Sequence, residues 1–374
     1  MLPRMCDEPA PTATSDENGS ITIARIHPFL RIQNALGGTE QAFMSVMKSR
    51  GSVAGRGTSA KGARKMGARV RFGPAGWMYK DWEGIVYPRP KPRHFDQLRY
   101  IAELFDTVEI NSSFYGPPLE RTAGSWVQRV KECKDFRFTA KLWKRFTHER
   151  DKAWTTGEAD QVRAGFDVMM DAGRLGAVLL QFPWSFRRTE ENREWLGDVV
   201  RTFRQYPLVV EVRHASWLAP EFLAALKEEG IGFVNIDQPL YHDSIGPSAH
   251  ATSNVGYVRV HGRNYKDWFR DKAPVEQRYN YLYKADELKP WAERTTEIAE
   301  DPGTREVYVI TNNHYKGKAV ANALMLKSMV TGAKVTAPNG VFEAYGDVMT
   351  GYVTTHGQSG VSKPHRDLLL TAGP

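Results

Sequence analysis

Between residues 69 and 312 the chain repeats one pattern: a short β-branched or aromatic run, a polar loop, then a longer segment with apolar positions at helical spacing. The runs are 69–74 (RVRFGP), 106–111 (DTVEIN), 136–141 (FRFTAK), 176–182 (GAVLLQF), 208–213 (LVVEVR), 231–237 (IGFVNID), 255–261 (VGYVRVH) and 306–312 (EVYVITN). Helices are predicted at His94–Leu104, Glu120–Lys131, Glu158–Gly173, Glu190–Phe203, Pro220–Glu229, Tyr279–Ile298 and Gly317–Val330, while 240–253 carries no clear helical period. Strands alternating with helices build a parallel sheet. Eight evenly spaced units predict an α/β protein of the (β/α)8 TIM-barrel class over 68–330. The competing architecture is an open doubly wound sheet, but no GxGxxG or Walker motif marks a nucleotide crevice.

Side chains alternate along a strand, so each run divides into a helix-facing and an axis-facing set. Val108 and Ile110, Val210 and Val212, Val234 and Ile236, Val258 and Val260, and Val307 and Val309 are assigned to the helices. The opposite parity collects Glu109 and Asn111, Thr139 and Lys141, Gln181, Glu211 and Arg213, Asn235 and Asp237, Arg259 and His261, and Asn312. The carboxyl ends of the strands are the functional face of such a barrel. Charges there need compensation, because each desolvated, unpaired ion costs several kcal/mol. Two arrangements supply it: a lattice of buried ion pairs that plugs the barrel top, or a polar pocket. Trp77, Tyr79, Trp82, Phe114, Tyr115, Trp143 and Trp217 follow strand ends and would wall a pocket.

Composition changes this picture little. The chain has 374 residues, 41% of them hydrophobic, and ten tryptophans. No apolar run approaches the ~20 residues of a membrane span. The formal charge is +8, but residues 1–68 carry nine Lys/Arg against five Asp/Glu, so half of the excess precedes the barrel and basicity is a weak argument for nucleic acid. Between Gln41 and Tyr79 there is no acidic residue, and Lys48, Arg50, Arg56, Lys61, Arg64 and Lys65 stand among Gly, Ser and Ala. Residues 1–67 are therefore expected to be a disordered basic extension, with Met66 an alternative start, and 331–374 a flexible tail. The two cysteines, Cys6 and Cys133, have no disulfide or zinc spacing, and no apolar signal segment opens the chain, so a cytoplasmic location is expected.

The segments GPAGWMYKDWEGIVYP (73–88), FDTVEINSSFY (105–115), FRFTAKLWKRFTH (136–148), LLQFPWSF (179–186), VVEVRHASW (209–217), YVRVHGR (257–263) and TNNHYKGKAVANA (311–323) together resemble the YecE-like family, also called domain of unknown function 72. The resemblance spans about 70–325 and implies a TIM barrel without an established activity. Its motifs match at Gly73, Gly76, Trp77, Tyr79, Trp82, Glu109, Asn111, Phe114, Tyr115, Lys141, Gln181, Glu211, Arg213, His214, Trp217, Asp237, Arg259, His261, Gly262, Arg263, Asn312 and Asn313. Pro74 and Ala75 depart from the small polar residues usual in the first motif.

Three chemistries compete for these residues. Glu109 and Glu211 form a carboxylate pair of the kind glycoside hydrolysis needs, although neighbouring cations such as Arg213 and Lys141 would keep both ionised. Glu109, Glu211, Asp237 and His261, with His214 and His314, offer ligands for a divalent metal and phosphodiester hydrolysis, again in competition with the cations. Lys141, Arg213, Arg259, Arg263 and Lys266, beside Trp77, Tyr79, Asn111, Tyr115, Gln181, Trp217, Asn312 and Asn313, suit an anionic or phosphate-containing ligand, nucleic acid included. The third is favoured, and no cofactor is predicted. NNH at 312–314 with Gly317 and Lys318 marks a second candidate phosphate position, although helix capping explains the same residues.

Overall fold

The structure is a computed structural model that describes residues 67–266 and 275–355. The expected basic extension, the alternative start at Met66, Cys6 and residues 356–374 lie outside the described residues.

All eight expected strands form. They are β1 (Arg69–Pro74), β2 (Thr107–Ile110), β3 (Arg137–Lys141), β4 (Leu175–Gln181), β5 (Leu208–Glu211), β6 (Gly232–Asp237), β7 (Val255–Val260) and β8 (Glu306–Thr311). The sheet runs β1-β8-β7-β6-β5-β4-β3-β2 with parallel pairing throughout. The barrel is nearly closed between β1 and β2, where Asp106 N donates to Phe72 O (3.2 Å) and Gly76 N to Glu109 O (2.9 Å). This seam explains Gly73: a β-carbon there would sit 1.8 Å from the Thr107 carbonyl oxygen of β2.

The helices are α1 (Gln97–Leu104), α2 (Glu120–Arg129), α3 (Lys144–Thr147), α4 (Thr156–Asp171), α5 (Glu190–Phe203), α6 (Pro220–Glu228), α7 (Val275–Arg278), α8 (Ala285–Glu300), α9 (Lys318–Thr331) and α10 (Asn339–Met349). Side chains readable from sequence set several of their starts. Asp96 caps α1 by accepting from Leu98 N and Arg99 N, and its carboxylate also ties Arg129 of α2. Thr155 and Glu158 form a capping box on α4. As the weak period at 240–253 suggests, no helix joins β6 to β7. Polar side chains anchor that crossover instead: Asn235 holds Ser248 and His250, and Thr252 holds Ile231 and Phe233.

One tail expectation is corrected. Residues 335–355 form β9 (Val335–Ala337), α10 and β10 (Val353–Thr355), with β9 and β10 paired in parallel. Ala337, Val341, Met349 and Val353 are buried, so this short βαβ unit has its own apolar face. The polar loops between these residues dilute the signal in sequence. Among the described residues, no helix is long and apolar enough to cross a membrane.

Parity is correct on most strands and fails on β6. Val108, Ile110, Val210, Val212, Val258 and Val260 are fully buried on the helix side, whereas Glu109, Glu211 and Arg259 converge inside the barrel. On β6, Asn235 turns to the outer crossover, and Asp237 follows it to Arg263 and Tyr283. A crossover without a helix leaves backbone donors and acceptors to be satisfied, and Asn235 meets that demand.

Candidate functional site

The barrel interior is polar over most of its height. At its amino-terminal end, buried Arg71 pairs with Glu306 (2.8 Å), which also accepts from Tyr308 Oη (2.5 Å). Higher up, Tyr257 Oη donates to Glu109 Oε2 (3.0 Å) and is hydrogen-bonded to Thr139 Oγ1 (2.9 Å). Above this lies one guanidinium. Arg259 Nε and Nη2 donate to Glu109 Oε2 and Oε1 at 2.9 and 2.6 Å, and its Nη1 donates to Glu211 Oε2 at 2.6 Å. Glu109, Glu211 and Arg259 have no solvent exposure.

Arg213 continues the ladder towards solvent, donating through Nε (3.0 Å) and Nη2 (2.8 Å) to Glu211 Oε1. His261 Nε2 stands 3.2 Å from the same oxygen, and its Nδ1 faces the Asn312 amide nitrogen at 3.0 Å. With that amide donating, the imidazole proton lies on Nε2 and is given to Glu211. Burial pushes the His261 imidazole down to about 3, against the pull of Glu211, so the ring is neutral. Burial pushes the Glu211 carboxyl up, but Arg259, His261 and Arg213 outweigh it and hold it well below the usual carboxylate range.

These contacts weigh against two of the three chemistries. A glycosidase needs one protonated carboxyl, whereas Glu211 is ionised and Glu109 accepts a bidentate guanidinium. A metal centre needs free lone pairs, and both oxygens of Glu109, Glu211 and Asp237 already accept hydrogen bonds from arginine or tyrosine. Asp237 also lies in a separate cluster with Arg263 and Tyr283 and does not join the ladder. Among the described residues, no group of three or more His, Cys, Asp or Glu side chains is placed to hold a metal ion.

Lys141 differs from the other inward cations. It ends β3, is half-buried, and among the described residues its ammonium has no ion-pair or hydrogen-bond partner, because the arginines have taken both glutamates. Its Nζ lies 4.2 Å from the centre of the Phe114 ring. Burial, reinforced by repulsion from Arg259 and Arg213, pushes its pKa down to about 7 despite the attraction of Glu109 and Glu211.

His148 lies edge-on to the same Phe114 ring at 4.9 Å, and burial followed by repulsion from Lys141, Arg213 and Arg150 lowers its imidazole to about 4. Buried Arg145 shapes this loop by donating to Glu158 and to the carbonyls of Glu149, Lys152 and Ala153. Spacing gave no reason to single out His148. The only sequence signal was its place at the end of the 136–148 motif.

The mouth is walled by fewer aromatics than the sequence offered. Trp217 is fully buried, stacks on Phe186 and donates to its carbonyl (2.6 Å). Trp82 is also fully buried, donating to His314 O, and Trp77 packs edge-on against Trp126 in the core. Asn313 is buried in a network with Tyr281 and Asn322, so it too is structural. In each case a turn after the strand folds the side chain back beneath the loop. Tyr79, Asn111, Trp143 and Gln181 remain half-buried, and Tyr115 is exposed. Tyr79 stacks on His314 at 4.4 Å, with Tyr279 on His314 at 5.2 Å.

The second phosphate position is filled. A β-carbon on Gly317 would meet Val86 at 2.6 Å, Asp81 accepts from Lys316 N, and Lys318 Nζ donates to Asn280. His214 accepts from Ser216 N in a turn on the outer face, as parity expects.

The comparisons agree with this barrel. The family model described as "Protein of unknown function DUF72" matches residues 71–341. The UPF0759 protein YunF of Bacillus subtilis is 28% identical over 274 residues, covering 70% of this chain and 94% of its own length. A DUF72 family protein from Thermotoga maritima, solved by crystallography, is 34% identical with a TM-score of 0.61 over 70% of this chain and 99% of that one. One from Enterococcus faecalis is 25% identical with a TM-score of 0.60 over 70% of this chain and 95% of that one.

Proposed function

This chain belongs to the DUF72 family, and from the charges at its barrel mouth we propose that it binds an anionic, phosphate-bearing small molecule over Lys141 and Arg213. The observation that carries this is the ammonium of Lys141. The ladder beneath it is balanced: Glu109 and Glu211 are matched by Arg259 and Arg213. Among the described residues Lys141 is the cation left over, desolvated at the carboxyl end of β3. An anion supplies the missing partner and offsets the desolvation cost.

Arg213 contributes a second, partly exposed cation whose planar donors suit phosphate oxygens. Gln181 and Asn111 add neutral donors on the neighbouring strand ends. Isothermal titration with inorganic phosphate, pyrophosphate and a nucleoside monophosphate tests the proposal. Binding is expected in the wild type and lost in Lys141→Met. Equal affinity in the two proteins would remove it.

A second reading, that the phosphate belongs to a single-stranded nucleic acid, draws on the rim. Met78, Tyr115, Leu119, Leu218, Leu240, Tyr241 and Tyr265 are exposed, and all lie on loops that follow strands. Aromatic faces around a cationic centre suit stacked bases. Gel shifts at two salt concentrations separate the two: a strand should show salt-dependent affinity, and a mononucleotide site should not retain long oligonucleotides.

A further inference from the structure

We propose that Lys141 is a nucleophilic amine that condenses with the carbonyl group of an anionic aldehyde or ketone to form an imine within the barrel mouth. For the ligand's charge, this rests on the anion-binding proposal. The reactive group stands on its own geometry.

Four observations place a reacting amine there. Lys141 lies at the carboxyl end of β3, on the functional face of the barrel and half-open to it. Among the described residues its Nζ has no carboxylate, carbonyl or hydroxyl partner to occupy the lone pair or hold the proton. Its Nζ lies over the face of Phe114, 4.2 Å from the ring centre, a contact that provides no hydrogen-bond acceptor. The charged groups that act on it are Arg259, Arg213, Glu109 and Glu211, and the two glutamates are already neutralised by guanidinium groups; His148, on the same aromatic ring, is neutral.

A lysine that is desolvated beside other cations releases its proton near neutrality, and lysines activated in this way form Schiff bases. The downward shift of Lys141 to about 7 is consistent with that environment. An exposed lysine at pH 7 is free amine in only about one molecule in several thousand, whereas a group of pKa about 7 is free in half.

The step balances without an oxidant or reductant. The Nζ lone pair attacks the carbonyl carbon, and the C=O π pair moves to oxygen. Nitrogen gives up a proton and oxygen gains one, which completes the carbinolamine. The C–O bond then breaks, the hydroxyl leaves as water after taking a second proton from the medium, the nitrogen lone pair closes the C=N bond, and the remaining N–H proton returns to the medium. Water at the half-open mouth relays these protons, and Arg213, the neighbouring partly exposed cation, holds the anionic end of the molecule.

The test uses the whole protein with pyridoxal 5′-phosphate and with pyridoxal as probes, sodium borohydride to trap the imine, and peptide mass mapping to locate it. Exposed Lys80 and Lys266 serve as internal references. At pH 7, pyridoxal 5′-phosphate is expected to label Lys141 roughly a hundred-fold faster than the references. Its rate should rise through about pH 7. Lys141→Arg should abolish that label and keep phosphate binding, and wild-type rates need no variant to fold.

Labelling at Lys141 no faster than at Lys80 and Lys266 overturns the proposal, even where calorimetry still detects phosphate. Fast labelling of Lys141 by both probes, with no preference for the phosphorylated one, supports the amine and removes the anion-binding proposal instead.

Discussion

Arg259 grips Glu109 with two parallel hydrogen bonds, at 2.9 and 2.6 Å, in a part of the barrel that no solvent reaches. Neither residue is available to a ligand without breaking this bidentate pair. Glu109→Ala is therefore expected to lose about 3–5 kcal/mol in urea denaturation, the usual consequence of stranding one partner of a buried pair. A neutral or stabilising result would mean that the ladder is solvated and part of the pocket.

Lys141 should behave in the opposite way, because among the described residues it has no ion-pair partner to strand. Its folded pKa of about 7 lies below its ordinary value of 10.5, so between these pH values the unfolded chain binds more protons. Stability should rise with pH across that window. Lys141→Met is expected to be more stable than wild type below pH 7, with the difference vanishing towards pH 10.5. Denaturation at pH 6, 8 and 10 measures this, and a difference that does not change with pH would contradict it.

Anion affinity should follow the same proton. Below about pH 7 the Lys141 ammonium is charged, so phosphate should bind more tightly at pH 6 than at pH 8.5, by roughly thirty-fold for a single coupled proton. Titration calorimetry in two buffers of different ionisation enthalpy would reveal the proton taken up at pH 8. No uptake would separate the ligand from Lys141.

His261 is expected to remain neutral from pH 8 down to pH 5, since burial holds it to about 3. Its imidazole resonances should not titrate in that range. Its folded pKa lies below the unfolded one, so stability is lost as pH falls below about 6.5, and Glu211 adds a further loss below about pH 4.5. A His261 titration midpoint near 6.5 would show that the ladder is open to solvent.

Trp217 and Tyr115 should divide cleanly. Trp217→Ala empties a fully buried site stacked on Phe186 and is expected to lose about 3–5 kcal/mol. Tyr115→Ala removes an exposed ring and should leave stability within about 0.5 kcal/mol of wild type. Thermal melts of the two proteins beside a nucleotide titration decide which aromatic touches ligand.

The repeated run of apolar strand, polar loop and amphipathic helix was enough to determine the eight-stranded barrel, because strand period and helix period are local properties of the chain. Parity likewise brought Glu109, Lys141, Glu211, Arg213, Arg259 and His261 to one end of it. Pairing was not local. The sequence offered Arg213 and Lys141 as the cations holding both glutamates, and the fold gave that role to Arg259 and Arg213, because β7 carries Arg259 across the axis between Glu109 and Glu211. That choice left Lys141 without an ion-pair partner among the described residues.

Burial was also decided at the tertiary level. Trp77, Trp82 and Trp217 follow strands just as Tyr79 and Tyr115 do, and only the path of the turns puts the first three beneath the loops. β6 escaped parity for a related reason, since a crossover without a helix draws Asn235 and Asp237 outward to satisfy groups distant in sequence. Sequence thus determined which residues reach the mouth of the barrel, and tertiary contacts decided which of their charges remain unmatched there.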